Sequence, residues 1–210
     1  MLLQREYRTR CGVIHYWIRK EKGAKATLVF LPGLTADHHL FDKQIAYFEG
    51  KYSVFVWDAP GHAASWPFDF TFDLFDKAKW LLRSGSKGVA VSAYGKKLMH
   101  DIMKGYEGQQ ERYAKLAGHG FRILAEAMER DLPDRIACPA LLLCGEKDHA
   151  GSCIRYNKAW HKNTGIRLEW IKNAGHNSNT DAPETVNRLI EEHVIRCEAE
   201  IAPENKEEKS

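Results

Sequence analysis

Three short segments of this chain could work together on an acyl bond, while the atom that would attack that bond is missing from the pattern. Gly145-Glu146-Lys147-Asp148 ends in a carboxylate and Gly175-His176 presents an imidazole, each just after an apolar run of strand character. A carboxylate so placed can orient an imidazole and stabilise its charged form. Histidine is the natural general base near neutral pH. Phe30-Leu31-Pro32-Gly33-Leu34 closes a third apolar run in a forced turn. There the Leu34 N–H could face the strand tips and stabilise an oxyanion. Taken singly, each has a plainer reading: Leu34 as a strand-to-helix turn, Asp148 as a helix cap or surface charge, His176 as one of ten histidines. What lifts Asp148 and His176 is their joint order of strand, acid loop, helix, strand, histidine loop, helix. Between Leu34 and Gly145 no Gly-x-Ser-x-Gly occurs. An acid and a base without a nucleophile cannot run covalent acyl transfer.

Other residues do not fill the vacancy. Ser86 in Ser84-Gly85-Ser86-Lys87-Gly88 lacks the first glycine, and Lys79 to Arg83 before it read as helix rather than as a buried strand. Ser92 has no flanking glycine. Cys144 would be the better intrinsic nucleophile, but it falls in a buried strand, where thiols are usually inert packing groups. The nucleophile is therefore unassigned. Asp37-His38-His39 offers metal-ligating types, yet adjacent side chains diverge and no third ligand has suggestive spacing, so these read as solvated loop residues. Gly118-His119-Gly120 reads as a packing or hinge feature. Gly85-x-x-Gly88 lacks the context of a phosphate loop. No metal and no organic cofactor is expected.

The elements that must hold these groups follow from periodicity. Glu6 to Thr9 and Cys11 to Ile18 read as two strands turned near Arg10-Cys11-Gly12. Ala26 to Leu31 and Tyr52 to Trp57 are buried-type strands separated by helix over Leu40 to Glu49, an order that indicates a parallel α/β sheet. From Phe72 to Asp131 no convincing buried strand occurs, and helices are expected over 74–82, 94–104 and 111–129. Val89 to Val91 is too short to decide. Strands return at Ala140 to Cys144 and Arg167 to Ile171, with helices at Ile154 to His161 and Pro183 to Ile195. Asp181 and Pro183 fit the N-cap and first turn of the last helix. The charged segment 198–210 is expected to fray. One domain over 1–197, with a helical cap-like segment over 72–135, accounts for the pattern.

Bulk properties narrow the classes further. The chain has 210 residues, 44% of them hydrophobic, enough for a real core. Its 31 basic and 28 acidic residues leave a formal charge of +3 with no single-sign block. That gives no electrostatic case for nucleic acid or membrane partners. Five cysteines without a Cys-x-x-Cys pair indicate free thiols in a reducing compartment. The first residues are charged too soon for a signal peptide, and no apolar run approaches the roughly 20 residues that span a bilayer. A cytoplasmic location is the expectation.

Two blocks of the chain resemble the α/β-hydrolase fold family, in its esterase, lactonase and aminopeptidase-like branch. The first, about Gln4 to Phe72, holds Leu31-Pro32-Gly33-Leu34 and Val56-Trp57-Asp58-Ala59-Pro60-Gly61-His62. The second, about Cys138 to Val194, holds Leu143 to Asp148 and Ala174-Gly175-His176-Asn177. The resemblance implies triad acid at Asp148, triad histidine at His176 and an oxyanion donor at the Leu34 N–H, acting on a small ester, lactone or amide without a cofactor. It implies a structural role for Asp58 to His62. The family's serine elbow, with its strand and following helix, has no counterpart here, as if a segment had been removed near Trp80. Little or no activity is then expected, the alternative being a non-catalytic remnant or binding protein. A mostly parallel sheet without its central fifth and sixth strands is expected to pair the strand at 26–31 directly with that at 140–144, the second option being a homodimer that covers the exposed edge.

Overall fold

The computed structural model describes residues 2–69, 89–129 and 136–201. β1 (Leu3–Arg8) and β2 (Val13–Arg19) form the expected antiparallel hairpin, with Leu3 opposite Ile18 and Arg8 opposite Val13. Gly12 turns it at φ 156°, where a Cβ would meet the Pro67 carbonyl at 2.7 Å. β2 then pairs antiparallel with β4 (Ser53–Trp57), and β4 pairs in parallel with β3 (Thr27–Phe30), in the order β1-β2-β4-β3. β5 (Leu141–Gly145) and β6 (Arg167–Ile171) pair in parallel in a second sheet. Each parallel pair is closed by a helical crossover, as parallel pairing requires. The 3-10 turn His38–Phe41 and α1 (Asp42–Tyr47) lie between β3 and β4, and α4 (Cys153–Thr164) lies between β5 and β6.

The direct pairing of the strand at 26–31 with that at 140–144 does not form among the described residues: β3 is bonded to β4 and β5 to β6. The last helix, α6 (Pro183–Ile201), joins the two sheets instead. Its Val186 and Leu189 are buried with Ile171 and Ala174 beside the second sheet. One turn on, Ile190 and Val194 pack against Phe30, Ile45, Phe48, Tyr52, Val54 and Val56 of the first. Apolar burial is non-directional, at about 25 cal/mol per Å², so a helix stripe can span both sheets without a shared hydrogen-bond ladder. Polar ties flank the stripe. The Tyr47 hydroxyl donates to Glu191 at 2.7 Å and Lys51 Nζ to the same carboxylate at 3.0 Å. Before α6, Asn179 of α5 (Ser178–Asp181) donates to the Leu40 carbonyl at 2.7 Å and accepts Gln44 Nε2 on its own carbonyl at 3.0 Å.

The helical middle is present as α2 (Ala93–Lys104) and α3 (Gln110–Glu129). The Ser92 hydroxyl caps α2 by accepting the Gly95 N–H at 2.9 Å. Met99, Ile102, Tyr106, Tyr113, Ala114, Leu116 and Ala117 make a cluster of their own between the two helices, and burial there pushes the Tyr106 hydroxyl up to about 12. Arg112 ties α3 to the first sheet's loops, donating to the Ala63 carbonyl at 3.0 Å. The helix expected over 74–82, the proposed junction at Trp80, and Ser84 and Ser86 lie outside the described residues.

Toward the end of the chain two differences from the expectation have a physical reason. α6 continues to Ile201, past Ile195 and into the segment expected to fray, because Glu198, Ala199 and Glu200 are compatible with helix and Arg196 lies 3.9 Å from Glu200 one turn on. Asp181 ends α5 rather than capping α6, since its carboxylate is engaged elsewhere. No helix among the described residues is long and apolar enough to cross a membrane.

Candidate functional site

The acid and histidine loops are built against each other from the tips of β5 and β6. The Glu146 N–H donates to the Ile171 carbonyl at 3.1 Å and the Lys147 N–H to the Ala174 carbonyl at 2.8 Å. This approach needs Gly145, where a Cβ would stand 2.1 Å from the Gly175 carbonyl oxygen and 2.4 Å from that of Ala174. The result brings Asp148 Oδ2 to 3.0 Å from His176 Nδ1. A carboxylate can only accept, so Nδ1 carries the proton and the other ring nitrogen is left as the base. Asp148 is buried, its Oδ1 accepting the Ala150 N–H at 2.8 Å, whereas the His176 side chain is 42% exposed. Geometry of this kind orients the imidazole ring against a buried carboxylate.

Asp181 fixes the same loop from the other side. Its carboxylate accepts the N–H groups of Gly175, Val91 and Ser92 at 2.8, 2.8 and 2.7 Å. Burial alone would raise its pKa, but these donors outweigh burial and lower it. The Asn177 N–H adds a bond to the Val89 carbonyl at 2.7 Å. The undecided apolar stretch 89–91 is therefore a brace for the histidine loop, not a strand.

Leu34 lies on the loop after β3, as expected, and no hydrogen bond links this loop to the Asp148–His176 pair among the described residues. Its position is set by two features. The Thr35 N–H, at φ 70°, donates to His62 Nε2 at 3.0 Å. The Leu34 side chain lies where a Cβ on Gly120 of α3 would fall, 2.7 Å from both Leu34 Cδ atoms. Gly120 is thus a packing glycine. His62 is buried and its Nδ1 lies 3.1 Å from the Pro60 carbonyl; burial lowers its pKa and keeps it neutral.

Asp37-His38-His39 is not simply a solvated loop. Asp37 caps the 3-10 turn by accepting the His39 N–H at 3.0 Å. The His38 side chain, 16% exposed, stacks on Trp17 and brings Nδ1 to 2.8 Å from Asp58 Oδ1. Asp58 is fully buried and also accepts the N–H groups of His38 and Ala64. A carboxylate in such a place needs donors, and His38 supplies two. Burial would raise Asp58, but the His38 ring and these N–H groups hold its pKa below the ordinary carboxylate value.

No thiol or hydroxyl hydrogen-bonds to His176 among the described residues. Cys144 is buried in β5 with Sγ 3.7 Å from the Gly145 carbonyl, and burial pushes its thiol up. Ser92 is spent on the cap of α2. Cys153, at the start of α4, lies beside the pair: donor atoms of Asp148, Cys153 and His176 are all within 4.8 Å of one another. Burial first, and then the Asp148 carboxylate, raise the Cys153 pKa, so it stands there as a thiol rather than as an activated nucleophile.

Comparison with solved structures places the fold. A thermophilic esterase from Thermogutta terrifontis superposes with a TM-score of 0.67 at 14% identity, over 94% of this chain and 99% of that one. Carboxylesterase CesB from Bacillus subtilis gives 0.65 at 16%, over 92% of each chain. The Cif epoxide hydrolase from Acinetobacter nosocomialis gives 0.63 at 11%, over 91% and 88%. The chain has the α/β-hydrolase fold. No protein-family model and no curated protein matches its sequence. Within the α/β-hydrolase fold, Asp148 and His176 were visible from the sequence as loop residues after two strands. Asp181 and Cys153 were not, and His62 was marked only within the turn Asp58 to His62, as structural. The sequence signal at Asp181 was that of an N-cap, and Cys153 carried none beyond lying five residues after the acid.

Proposed function

We propose that this protein is an α/β-hydrolase relative that holds the acid–base half of a hydrolytic triad, with Asp148 orienting His176 and the Leu34 N–H as oxyanion donor, and that it has little or no covalent turnover of small esters, lactones or amides. The 3.0 Å Asp148–His176 hydrogen bond carries the reading. It supports an imidazole ready to take a proton. The absence of Gly-x-Ser-x-Gly from the sequence supports the second half, since the elbow is what exposes a nucleophile and also supplies the second oxyanion donor. Loss of a triad nucleophile costs on the order of 10⁶ in turnover.

An aryl acetate assay tests both halves. Parent protein should show no burst of released phenol at the first turnover, and any slow steady rate should fall with His176→Ala. A stoichiometric burst would establish an acyl-enzyme and contradict the proposal. A steady rate indifferent to His176 would remove its role as base.

A further inference from the structure

We propose that Asp148, Cys153 and His176 form a three-ligand site for a divalent cation of the zinc class. One donor atom from each lies within 4.8 Å of the other two, and Asp148 Oδ2 and His176 Nδ1 are 3.0 Å apart. A tetrahedral zinc centre with bonds near 2.0 Å to nitrogen and oxygen and 2.3 Å to sulfur sets ligand separations of about 3.3 Å for N···O and about 3.6 Å for S···N. The carboxylate and imidazole already stand near that spacing. The 4.8 Å limit on the sulfur's separations exceeds the S···N spacing by about 1.2 Å.

The surroundings fit a metal as well as the donors do. Asp148 is buried and held by the Ala150 N–H on Oδ1, which leaves Oδ2 for a ligand bond. The Lys147 N–H to Ala174 carbonyl bond locks the two loops together, so that little ordering is left to binding. The exposed flank of His176 leaves room for water as the fourth ligand. A thiolate, an imidazole and one carboxylate favour zinc or cobalt over magnesium or calcium, which take mostly oxygen.

Binding replaces the proton shared by Asp148 and His176. The metal ion takes Nδ1, the imidazole proton moves to Nε2, and the Cys153 thiol gives its proton to solvent, so one proton is released per ion. The loaded form then has N–H at Nε2 and no free base. Metal occupancy and acid–base function are mutually exclusive in this site. The site itself rests on side-chain geometry and stands whether or not the hydrolytic reading does.

Cobalt(II) titration of the full chain tests it. A thiolate-to-cobalt charge-transfer band should grow to one equivalent, disappear on adding zinc, persist in Cys11→Ser/Cys138→Ser, vanish in Cys153→Ser, and need at least about tenfold more metal in His176→Gln. A readout that needs no variant is alkylation. Zinc should protect Cys153, alone among the five cysteines, from iodoacetamide. No charge-transfer band in excess cobalt, a band that survives Cys153→Ser, or a Cys153 alkylated equally fast with and without zinc would each overturn the site. An unchanged aryl acetate rate on loading would leave the metal site standing and count only against His176 as base.

Discussion

Asp181 accepts the Gly175 N–H at 2.8 Å and so holds the residue immediately before His176. The same carboxylate takes the Val91 and Ser92 N–H groups, which makes it the junction between the helical middle and the histidine loop. Asp181→Ala orphans three donors. At about 1 kcal/mol or more for each unmet bond to a charged group, a loss of about 3 kcal/mol is expected in denaturant unfolding. Asp181→Asn keeps one acceptor oxygen and should lose less.

The pH dependence of that contribution has a definite sign. The folded pKa of Asp181 lies below its ordinary value, so the unfolded chain takes up the proton first. Its stabilisation is complete above about pH 4 and is lost as pH falls through the lower folded value. Asp181→Asn should flatten this part of the acid unfolding profile, read by circular dichroism between neutral and acid pH.

Gly145 and Gly120 should differ in their response to alanine. At Gly145 the new Cβ meets two backbone carbonyls of the histidine loop, which cannot rotate away. A loss of about 3 kcal/mol or more is expected, with the Asp148–His176 bond broken. At Gly120 the obstacle is the branched end of the Leu34 side chain, itself 42% exposed. It can swing aside, and alanine gains about 1 kcal/mol of helix propensity, so thermal unfolding of Gly120→Ala should stay close to the parent.

His62 should matter through the Thr35 N–H. His62→Ala leaves that donor without its partner, a cost of about 2 kcal/mol, and amide exchange at Thr35 should accelerate. Because burial depresses the His62 pKa, its neutral form contributes stability that is whole above about pH 6.5 and falls as the pH drops toward the folded value. The variant should lose that slope.

The Asp148–His176 contact sets a tautomer, which nitrogen NMR reads directly. Parent His176 should carry its proton on Nδ1 at neutral pH. Asp148→Asn offers the ring either an acceptor or a donor, so the Nδ1–H form should no longer dominate. An unchanged tautomer would mean that the carboxylate does not orient the ring.

Strand character and loop chemistry were legible in this sequence where one signal dominated. Arg167 to Ile171 is a strand with those bounds, and Asp148 and His176 meet because each lies on the loop after a strand of one parallel pair. What periodicity could not show was how two sheets share one helix. Val186, Leu189, Ile190 and Val194 read as one apolar stripe, yet they serve two clusters. Asp181 looked like a cap because Asp before Pro has that meaning locally, while its partners lie about 90 residues away at Val91 and Ser92. His38 looked solvated because its partner Asp58 is joined to it only by the fold.

The central claim, an assembled acid–base pair without an attacking atom, is tested most directly by intact-mass measurement of the folded protein after incubation with a fluorophosphonate. The expected result is an unmodified mass together with a cooperative melt and the Nδ1–H tautomer of His176. A stoichiometric adduct on any serine, abolished by His176→Ala, would contradict it.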